Sequence, residues 1–594
     1  MSALDCQGNE PALDRPKALM VRLSIIYLAL RVDARQAILG LFWLAMRKKV
    51  RGRALIYSAA ARHTDYHTYW VEHVEPGLWA SYCGQAQARQ KRIAVVIVAG
   101  GTTESGLINR SLRSAQLAFG DKAQIALWSR DKDELQNTAA GVFFSVSSDL
   151  HSLLEGVSAD YLITLFAGDQ LSAHTGQVLA HALSIHPDAP VIYWDEDRLS
   201  GDLSRRDPWF KSSWNLLHFF AQDFLIGASM IRVEAINADA FTVGESFASH
   251  IQNVLINVAT RLGAETPAHV PLILSHRLKT GGGDGDQRVA SLEQALAVPV
   301  NRVRGKPSLL SVQWPLPDTP PSVSIIIPTR DRVDLLSTCI DGLLEVSFPG
   351  NIEIIVIDNE SADPESHRFF DQLKMSGIHV MEFPGSFNFS AMNNAAVKQA
   401  TGKYLCFLNN DIEMIENDWL TQMMRHAVRP GIGAVGAKLL YPDGTVQHAG
   451  VAVGIGQAAG HVQRNVSDDE PGYFDLPHIT RYATAVTAAC MVLERSRFEA
   501  IGGFDERLFP VAFNDVDLCL KLVAAGWKNV YSAEAKLIHH ESKSRGDDMS
   551  AANYERYSRE LANLQDKWAT KTYCDPYLSP RFSRKSETLY VEID

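Results

Sequence analysis

The sequence predicts an α/β protein built as two tandem, mostly parallel sheets, and three observations carry that prediction. An apolar strand ending in a turn occurs twice, as Arg92-Ile-Ala-Val-Val-Ile-Val-Ala-Gly-Gly-Thr and as Val323-Ser-Ile-Ile-Ile-Pro-Thr. Each opens a series of alternating helical and strand-like stretches, the pattern of parallel strands joined by crossover helices. Between the two series, residues 279–322 hold Gly281-Gly-Gly-Asp-Gly, Pro307, Pro315, Pro317, Pro320 and Pro321, which interrupt regular structure. A pattern that restarts after such a stretch reads as two copies of one fold.

In chain order, residues 54–90 predict helix, with Tyr66, Tyr69, Trp70 and Val74 at helical spacing as core positions. The first series continues with strands at 123–128, 161–166 and 190–194 and a helix at 172–186. The second has a helix at 332–346, a strand from Ile352 to Ile357, a helix at 389–400 and the strand Tyr404-Leu-Cys-Phe-Leu. A helix over roughly 551–570 closes the chain. The division is therefore a basic helical segment (1–91), a first α/β domain (92–278), a linker (279–321), a second α/β domain (322–550) and a helical tail (551–594).

Composition narrows the class. The chain has 594 residues, 46% hydrophobic and 21% charged, which excludes wholesale disorder and a polytopic membrane protein. A net charge of −11 argues against nucleic acid as a partner. The 7 cysteines are an odd number without a C-x-x-C, which argues against a disulfide framework or structural zinc and fits a reducing cytoplasm.

The charge is uneven. From Arg15 to Arg62 eleven Lys/Arg face one acid, Asp33, a net +10 that leaves −21 for the rest. Two apolar runs lie there, Ala18 to Leu30 and Ala37 to Met46, and Arg47, Lys48, Lys49, Arg51 and Arg53 follow the second. Both fall short of the ~20 residues of a spanning helix. They read as interfacial helices, so residues 15–53 predict a peripheral attachment at the inner face of the cell membrane.

Chemistry is expected where strands end, because open α/β sheets bind ligands beyond their carboxyl edges. Three polar clusters occupy such ends in the second series: Pro328-Thr329-Arg330-Asp331, Asp358-Asn359-Glu360-Ser361 and Asn409-Asn410-Asp411. One alone would be ordinary turn chemistry. Three in succession predict a shared crevice.

Residues 322–546 resemble the family 2 glycosyltransferases of GT-A fold, of the rhamnosyltransferase-like and O-antigen-assembly type. The resemblance rests on Val323-Ser-Ile-Ile-Ile-Pro-Thr-Arg-Asp-Arg, Ile357-Asp-Asn-Glu-Ser, Phe387-Asn-Phe-Ser-Ala-Met-Asn-Asn and Phe407-Leu-Asn-Asn-Asp. It continues through Gly436-Ala-Lys-Leu-Leu-Tyr-Pro-Asp-Gly, Gly502-Gly-Phe-Asp-Glu, Phe513-Asn-Asp-Val-Asp-Leu-Cys-Leu and His539-His-Glu-Ser-Lys-Ser-Arg-Gly.

The resemblance implies an inverting, metal-dependent transfer of a hexosyl or deoxyhexosyl group. The donor would be a dTDP-, UDP- or GDP-sugar, and the acceptor a lipid-linked or growing glycan of the bacterial envelope, such as lipopolysaccharide O-antigen. It assigns Asp358 to the nucleotide base. Pro328, Thr329, Asp331, Asn359, Asn393, Asn409 and Asn410 fall to the donor pocket. Asn409-x-Asp411 takes the D-x-D position, with Asp411 as ligand to Mg²⁺ or Mn²⁺, His539 as a second ligand and His540 as its fallback. Asp515 becomes the general base, with Asp517 as its orienter or as a helix N-terminal charge. The sequence departs from the family at Asn409 for Asp, Asn514 for Glu and Lys521 for Arg.

Two glycine patterns read differently. Gly431-Ile-Gly-Ala-Val-Gly436 lacks a preceding strand and an acid about 20 residues on, so it does not read as a dinucleotide loop. Gly450 to Gly460 resembles the family's mobile acceptor-side loop.

Residues 92–277 resemble the same family more faintly, through Tyr193-Trp-Asp-Glu-Asp-Arg-Leu, Phe210-Lys-Ser-Ser-Trp-Asn and His276-Arg277. Ala99-Gly100-Gly101 replaces Pro-Thr, and Trp128-Ser129-Arg130 replaces the second strand-end Asp. Phe166-Ala167-Gly168-Asp169 leaves one carboxylate out of register. A degenerate domain that binds glycan or braces its twin is expected. Asp195 and Asp197 as compensating carboxylates keep a bifunctional alternative open, and a non-catalytic glycan-binding scaffold is the other. Against the scaffold stand Asp358, Asp411, Asp515 and His539 together.

Overall fold

A computed structural model describes residues 15–83, 91–99, 105–129, 143–145, 156–236, 247–261, 266–278, 285–541 and 553–593. The chain divides into two compact units. The first comprises Met1–Val312, Leu578–Ser583 and Tyr590–Asp594, the second Gln313–Tyr577 and Arg584–Leu589.

The first unit opens with helices Arg15–Val32, Ala34–Ala45 and Lys49–Ala60. Asp33 caps the second by accepting the Gln36 N–H at 2.9 Å. Gly40 and Gly52 let the second and third helices touch: a Cβ on Gly52 would lie 2.7 Å from the Gly40 carbonyl oxygen. The single helix expected over 54–90 is broken, with further helices at Tyr66–His73 and Glu75–Cys83. Pro76 explains the second break, since proline fits a helix's first turn but not its interior.

Nine strands of the first unit form one sheet. They are β1 (Ile93–Ala99), β2 (Ala123–Ser129), β3 (Phe143–Ser145), β4 (Tyr161–Phe166), β5 (Gln170–Leu171), β6 (Val191–Leu199), β7 (Arg205–Trp209), β8 (Ser229–Arg232) and β9 (Ala268–Arg277). Their order is β3-β2-β1-β4-β8-β6-β9-β5, with β7 also on β6. Residues 279–284 of the stretch expected as a linker lie outside the described residues; from Gly285 on it holds the helix Gly285–Leu296 and a hairpin of β10 (Val300–Val303) and β11 (Lys306–Val312). The prolines after it mark the actual boundary.

The second unit contains β12 (Val323–Thr329), β13 (Ile352–Asp358), β14 (His379–Glu382), β15 (Tyr404–Leu408), β16 (Ile412–Met414), β17 (Ile432–Leu440) and β18 (Val446–His448). It continues with β19 (Val451–Val453), β20 (Ala459–His461), β21 (Arg481–Ala483), β22 (Cys490–Glu494) and β23 (Lys528–His539). The sheet order is β14-β13-β12-β15-β22-β17-β23-β16, with β18 on β17 and β21 on β23. Along this eight-strand path, and in the extra strand on β17, it repeats the first sheet; β21 is additional. The parallel pairs β12/β13, β12/β15 and β17/β23 match β1/β2, β1/β4 and β6/β9. In each unit one strand, β8 or β22, runs antiparallel between its neighbours.

β12 is buried at every residue, as a strand covered on both faces must be. The segment Gly431–Gly436 runs into β17 and makes no loop. Its last glycine is required by packing, because a Cβ there would lie 2.5 Å from Val486. Gly450 to Gly460 forms the β19/β20 hairpin, tied down by Asp575, which accepts the Val453 N–H at 2.7 Å, and by Glu587, which accepts the His461 N–H at 2.9 Å. The closing helix is Tyr554–Trp568, ended by Ala569 at φ 51; no further helix follows among the described residues. Cys339, Cys406, Cys490 and Cys519 are buried and unpaired. Cys574 is disulfide-bonded, an exception to that reading.

Candidate functional site

The carboxyl ends of β12 and β15, the start of β16, the end of β23 and the first turn of helix Asn514–Ala524 converge on a cavity of about 690 Å³ in the second unit. Of the expected residues, Pro328, Thr329, Asn409, Asn410, Asp411, Asp515 and His539 line it. Asn410 donates to the Thr329 hydroxyl at 2.9 Å, so the two strand ends are joined side chain to side chain.

Asp411 and His539 meet in this cavity. His539 Nε2 lies 3.1 Å from Asp411 Oδ1 and 3.3 Å from the Asn409 amide nitrogen. The other ring nitrogen, Nδ1, meets Gln447 Oε1 at 2.6 Å, while Gln447 Nε2 donates to the Glu541 carboxylate at 3.1 Å. A carboxylate only accepts, so the Gln447 amide is oriented and His539 Nδ1 must be the donor. Nε2 therefore faces Asp411, donating to it when the ring is protonated and offering a lone pair when it is neutral. Burial acts to raise the Asp411 carboxyl, but the hydrogen bond and charge of His539 outweigh it and hold it below its ordinary value.

This pair fits a divalent cation. A carboxylate oxygen and an oriented imidazole nitrogen are ordinary ligands, and a buried Gln447 fixes the imidazole as outer-shell partners do. Among the described residues no group of three His, Cys, Asp or Glu is gathered here.

Asp515 enters from the first turn of its helix, after Phe513 in the left-handed region at φ 60. Its Oδ1 accepts the Val516 N–H at 2.8 Å and its Oδ2 the Ala488 N–H at 3.2 Å, which aim the carboxylate without neutralising it. The cavity is also lined by residues without an expected role, among them His461, Arg464, Glu541 and Glu587. Burial holds the His461 imidazole below its ordinary value, and its Nδ1 lies 3.0 Å from the Nδ1 of His448. Arg464 holds Glu541 at 3.2 Å and Glu587 at 3.7 Å. His461 adjoins the glycine-rich stretch and Glu541 adjoins the two histidines, so a local signal existed for both. Glu587 had none, because only tertiary folding brings residues 584–589 here.

Six expected residues lie outside the cavity lining. Asp331 accepts the backbone N–H groups of Ala362 and Asp363 at 2.8 and 2.9 Å, clamping two strand-end loops together. Asp358 accepts the Ser361 N–H at 2.9 Å at the end of β13. Asn359 is wholly buried and donates to the Phe383 and Gly385 carbonyls. Asn393 is wholly buried and donates to the Phe389 carbonyl. His540 pairs with Glu413 at 2.8 Å. Asp517 is no orienter of Asp515: it is fully buried, 2.7 Å from Lys567 and accepting from the Trp568 indole at 2.8 Å.

The first unit can be compared position by position. β16 pairs Ile412 with His539, and β5 pairs Gln170 with His276. Asp169 precedes Gln170 as Asp411 precedes Ile412, so this carboxylate is in register after all. What differs is its partner. Arg277 Nε lies 2.6 Å from Asp169, and the guanidinium is buried and also donates to the Ile226 carbonyl at 2.7 Å. By register His276 is the counterpart of His539 and Arg277 that of His540, so the first unit's carboxylate is met by a guanidinium from the next position rather than by the imidazole.

Asp195 and Asp197 are not free to compensate. Asp195 accepts the Lys211 N–H and contacts His269, both at 2.8 Å. Asp197 contacts His276 at 2.7 Å, His67 at 2.9 Å and Arg205 at 2.6 Å. Ala99 and Ser129 occupy the positions of Thr329 and Asp358.

This buried network makes stability depend on pH. Burial acts to raise the Glu196 carboxyl, but Lys211, Arg277 and Arg198 outweigh it and bring it down to about 2 from 4.5. A depressed carboxyl stabilises the fold above its unfolded pKa and ceases to as pH falls from about 4.5 to about 2. Glu196→Gln should therefore lower unfolding stability near neutral pH and flatten its loss in acid. Denaturant unfolding from about pH 7 to about pH 3 reads both; parallel curves for the two proteins would contradict it.

Residues 324–474 match glycosyl transferase family 2. Over 466 residues the chain is 34% identical to the uncharacterized protein y4gI of Sinorhizobium fredii, covering 74% of this chain and 50% of that protein. Over 448 residues it is 34% identical to the O-antigen biosynthesis protein RfbC of Myxococcus xanthus, covering 72% of this chain and 34% of that protein. The chain thus spans half or less of the length of these relatives. A solved mannosyltransferase of Pyrobaculum calidifontis, in complex with GDP-Man and Mn²⁺, aligns at TM-score 0.32 and 17% identity over 44% of this chain and 70% of that one. The family match begins in β12 and takes in the strand ends that carry Thr329 and Asp411, so this chain contains a glycosyl transferase family 2 domain at residues 324–474.

Proposed function

We propose that the second unit moves a sugar from a nucleotide-diphosphate donor to a hydroxyl of a lipid-linked or growing surface glycan, with inversion at the anomeric carbon. One observation carries this reading: a carboxylate free to act as base, Asp515, opens on the same cavity as the Asp411–His539 pair. In the proposed reaction Asp515 accepts the proton of the acceptor hydroxyl as its oxygen attacks C1. The bond from C1 to the diphosphate oxygen breaks on the opposite face, and its electron pair leaves with the nucleotide.

Asp411 and His539 would hold the divalent cation, which supplies neutralisation of the departing diphosphate when bound. Mg²⁺ prefers an all-oxygen set, so the imidazole favours Mn²⁺. Thr329 and the asparagines at 409 and 410 line the donor side, and we place the nucleotide base toward Asp358 at the end of β13. His461, Arg464 and Glu587 form the opposite wall, where an acceptor sugar would offer its hydroxyls. The Arg277–Asp169 pair supports a single transferring site per chain, with the first unit as a brace or glycan-binding domain.

The test is donor hydrolysis and transfer across dTDP-, UDP- and GDP-sugars, with and without Mn²⁺. Mn²⁺-stimulated turnover of one donor class is expected. Failure to turn over any nucleotide sugar in the presence of Mn²⁺ would overturn the reading.

A further inference from the structure

We infer that the three N-terminal helices form a docking surface for an anionic lipid bilayer, an inference that stands apart from the transferase reading. Helix Arg15–Val32 is apolar on two sides. Val21, Ile25 and Leu28 are buried in the fold, while Leu19, Leu23, Tyr27 and Leu30 form a second stripe at helical spacing that stands exposed. A surface helix of a water-soluble unit needs one apolar stripe; a second one has to be covered by something else. Helix Ala34–Ala45 does the same, burying Ala37 and Gly40 while Ile38, Leu39 and Phe42 face out. Met20 is 71% exposed and Phe42 53%.

The exposure is local. Of twenty-one large apolar side chains exposed among the described residues, twelve lie between Leu19 and Val50. Single exposed apolar residues are ordinary on a protein surface, but a concentration on one helical segment marks a contact surface.

Charge selects the occupant. Arg47, Lys48, Lys49 and Arg51 are exposed at the end of the second helix and the start of the third, and Arg51 lies over the Trp43 ring at 4.2 Å. The one acid of the segment, Asp33, is already paired with Arg62 at 3.0 Å. Apolar side chains beside a cluster of cations, with interfacial aromatics between them, suit a layer of anionic headgroups over acyl chains. A second copy would bring another segment of net charge +10 against the first, so like charge opposes self-association through this face. Among the described residues no helix is long and apolar enough to cross a membrane. The helices would lie in the interface, with the close Gly40–Gly52 contact holding two of them as one plate.

The experiment is co-sedimentation of the full chain with phosphatidylglycerol/phosphatidylcholine vesicles and with phosphatidylcholine vesicles, without donor or acceptor. Binding to the anionic vesicles, weakened by salt, is expected. The triple change Arg47→Glu, Lys48→Glu and Lys49→Glu should weaken it by roughly 10²-fold or more, and Leu23→Asp with Phe42→Asp by at least ~10-fold. These side chains are exposed, so unfolding midpoints and donor hydrolysis should not change. Wild-type protein that ignores anionic vesicles, or variants that bind as well as wild type, would overturn the inference. So would a wild-type dimer in sedimentation velocity that Leu23→Asp with Phe42→Asp dissociates, since a second copy would then be the occupant. No donor is present, so neither result bears on the transferase reading.

Discussion

Asp515→Asn should lower turnover by ~10²–10⁴-fold while donor affinity stays within a few-fold, because it removes a proton acceptor and little else. The asparagine oxygen can still accept the N–H of Val516 or Ala488, which the carboxylate takes at 2.8 and 3.2 Å, so the helix start should hold its shape. The next acid on the same helix cannot take over. Asp517 is fully buried against Lys567 and Trp568. Nor should the first unit supply a product, since its in-register Asp169 is bound to Arg277. Mass spectrometry of the acceptor decides: a product one sugar longer, formed by Asp515→Asn at the wild-type rate, would place the base elsewhere. A slow residual product that disappears on disrupting the first unit would instead reveal a second site.

Asp411→Ala should weaken Mn²⁺-dependent donor binding by more than the ~10–100-fold that loss of an outer-shell partner costs, because it removes a direct ligand. Asp411→Asn should fall in between, keeping an oxygen but not the charge that opposes His539 at 3.1 Å. Calorimetric titration of donor with and without Mn²⁺ separates the effects. Donor binding in the absence of metal should be nearly unchanged. Unaltered affinity for the Mn²⁺–donor complex in Asp411→Ala would remove Asp411 from the ligand set.

The parts of this molecule legible in its sequence are those written in local order. An apolar run such as Val323 to Ile327 declares a buried strand, and a polar cluster after it declares a strand end. The restart after Pro321 was enough to show two copies, which the matched strand orders bear out. Direction of a side chain was harder. Asp331, Asn359 and Asp517 have the residue types of a site, but their partners are backbone amides, carbonyls and a distant lysine that no local pattern reveals. Contributions from far along the chain were not legible at all. Glu587 reaches the cavity wall through the fold of a tail whose sequence looks like an ordinary surface segment. Asp169 went astray because the turn before it differs from the turn before Asp411, and only the pairing of Gln170 with His276 restores its alignment.

The buried arginine of the first unit works as a ratchet. Swapping Arg277 for a smaller residue would open the space that the second unit has beside Asp411, yet it would strand Asp169 and Glu196, which both lean on that guanidinium. Breaking a buried pair from one side costs about 3–5 kcal/mol, a large share of what keeps a domain folded. Turning His276 toward Asp169 instead would take it from Asp197, whose other partners are His67 and Arg205. Each single step toward an ion-binding pair therefore runs uphill, and only several coordinated changes reach it.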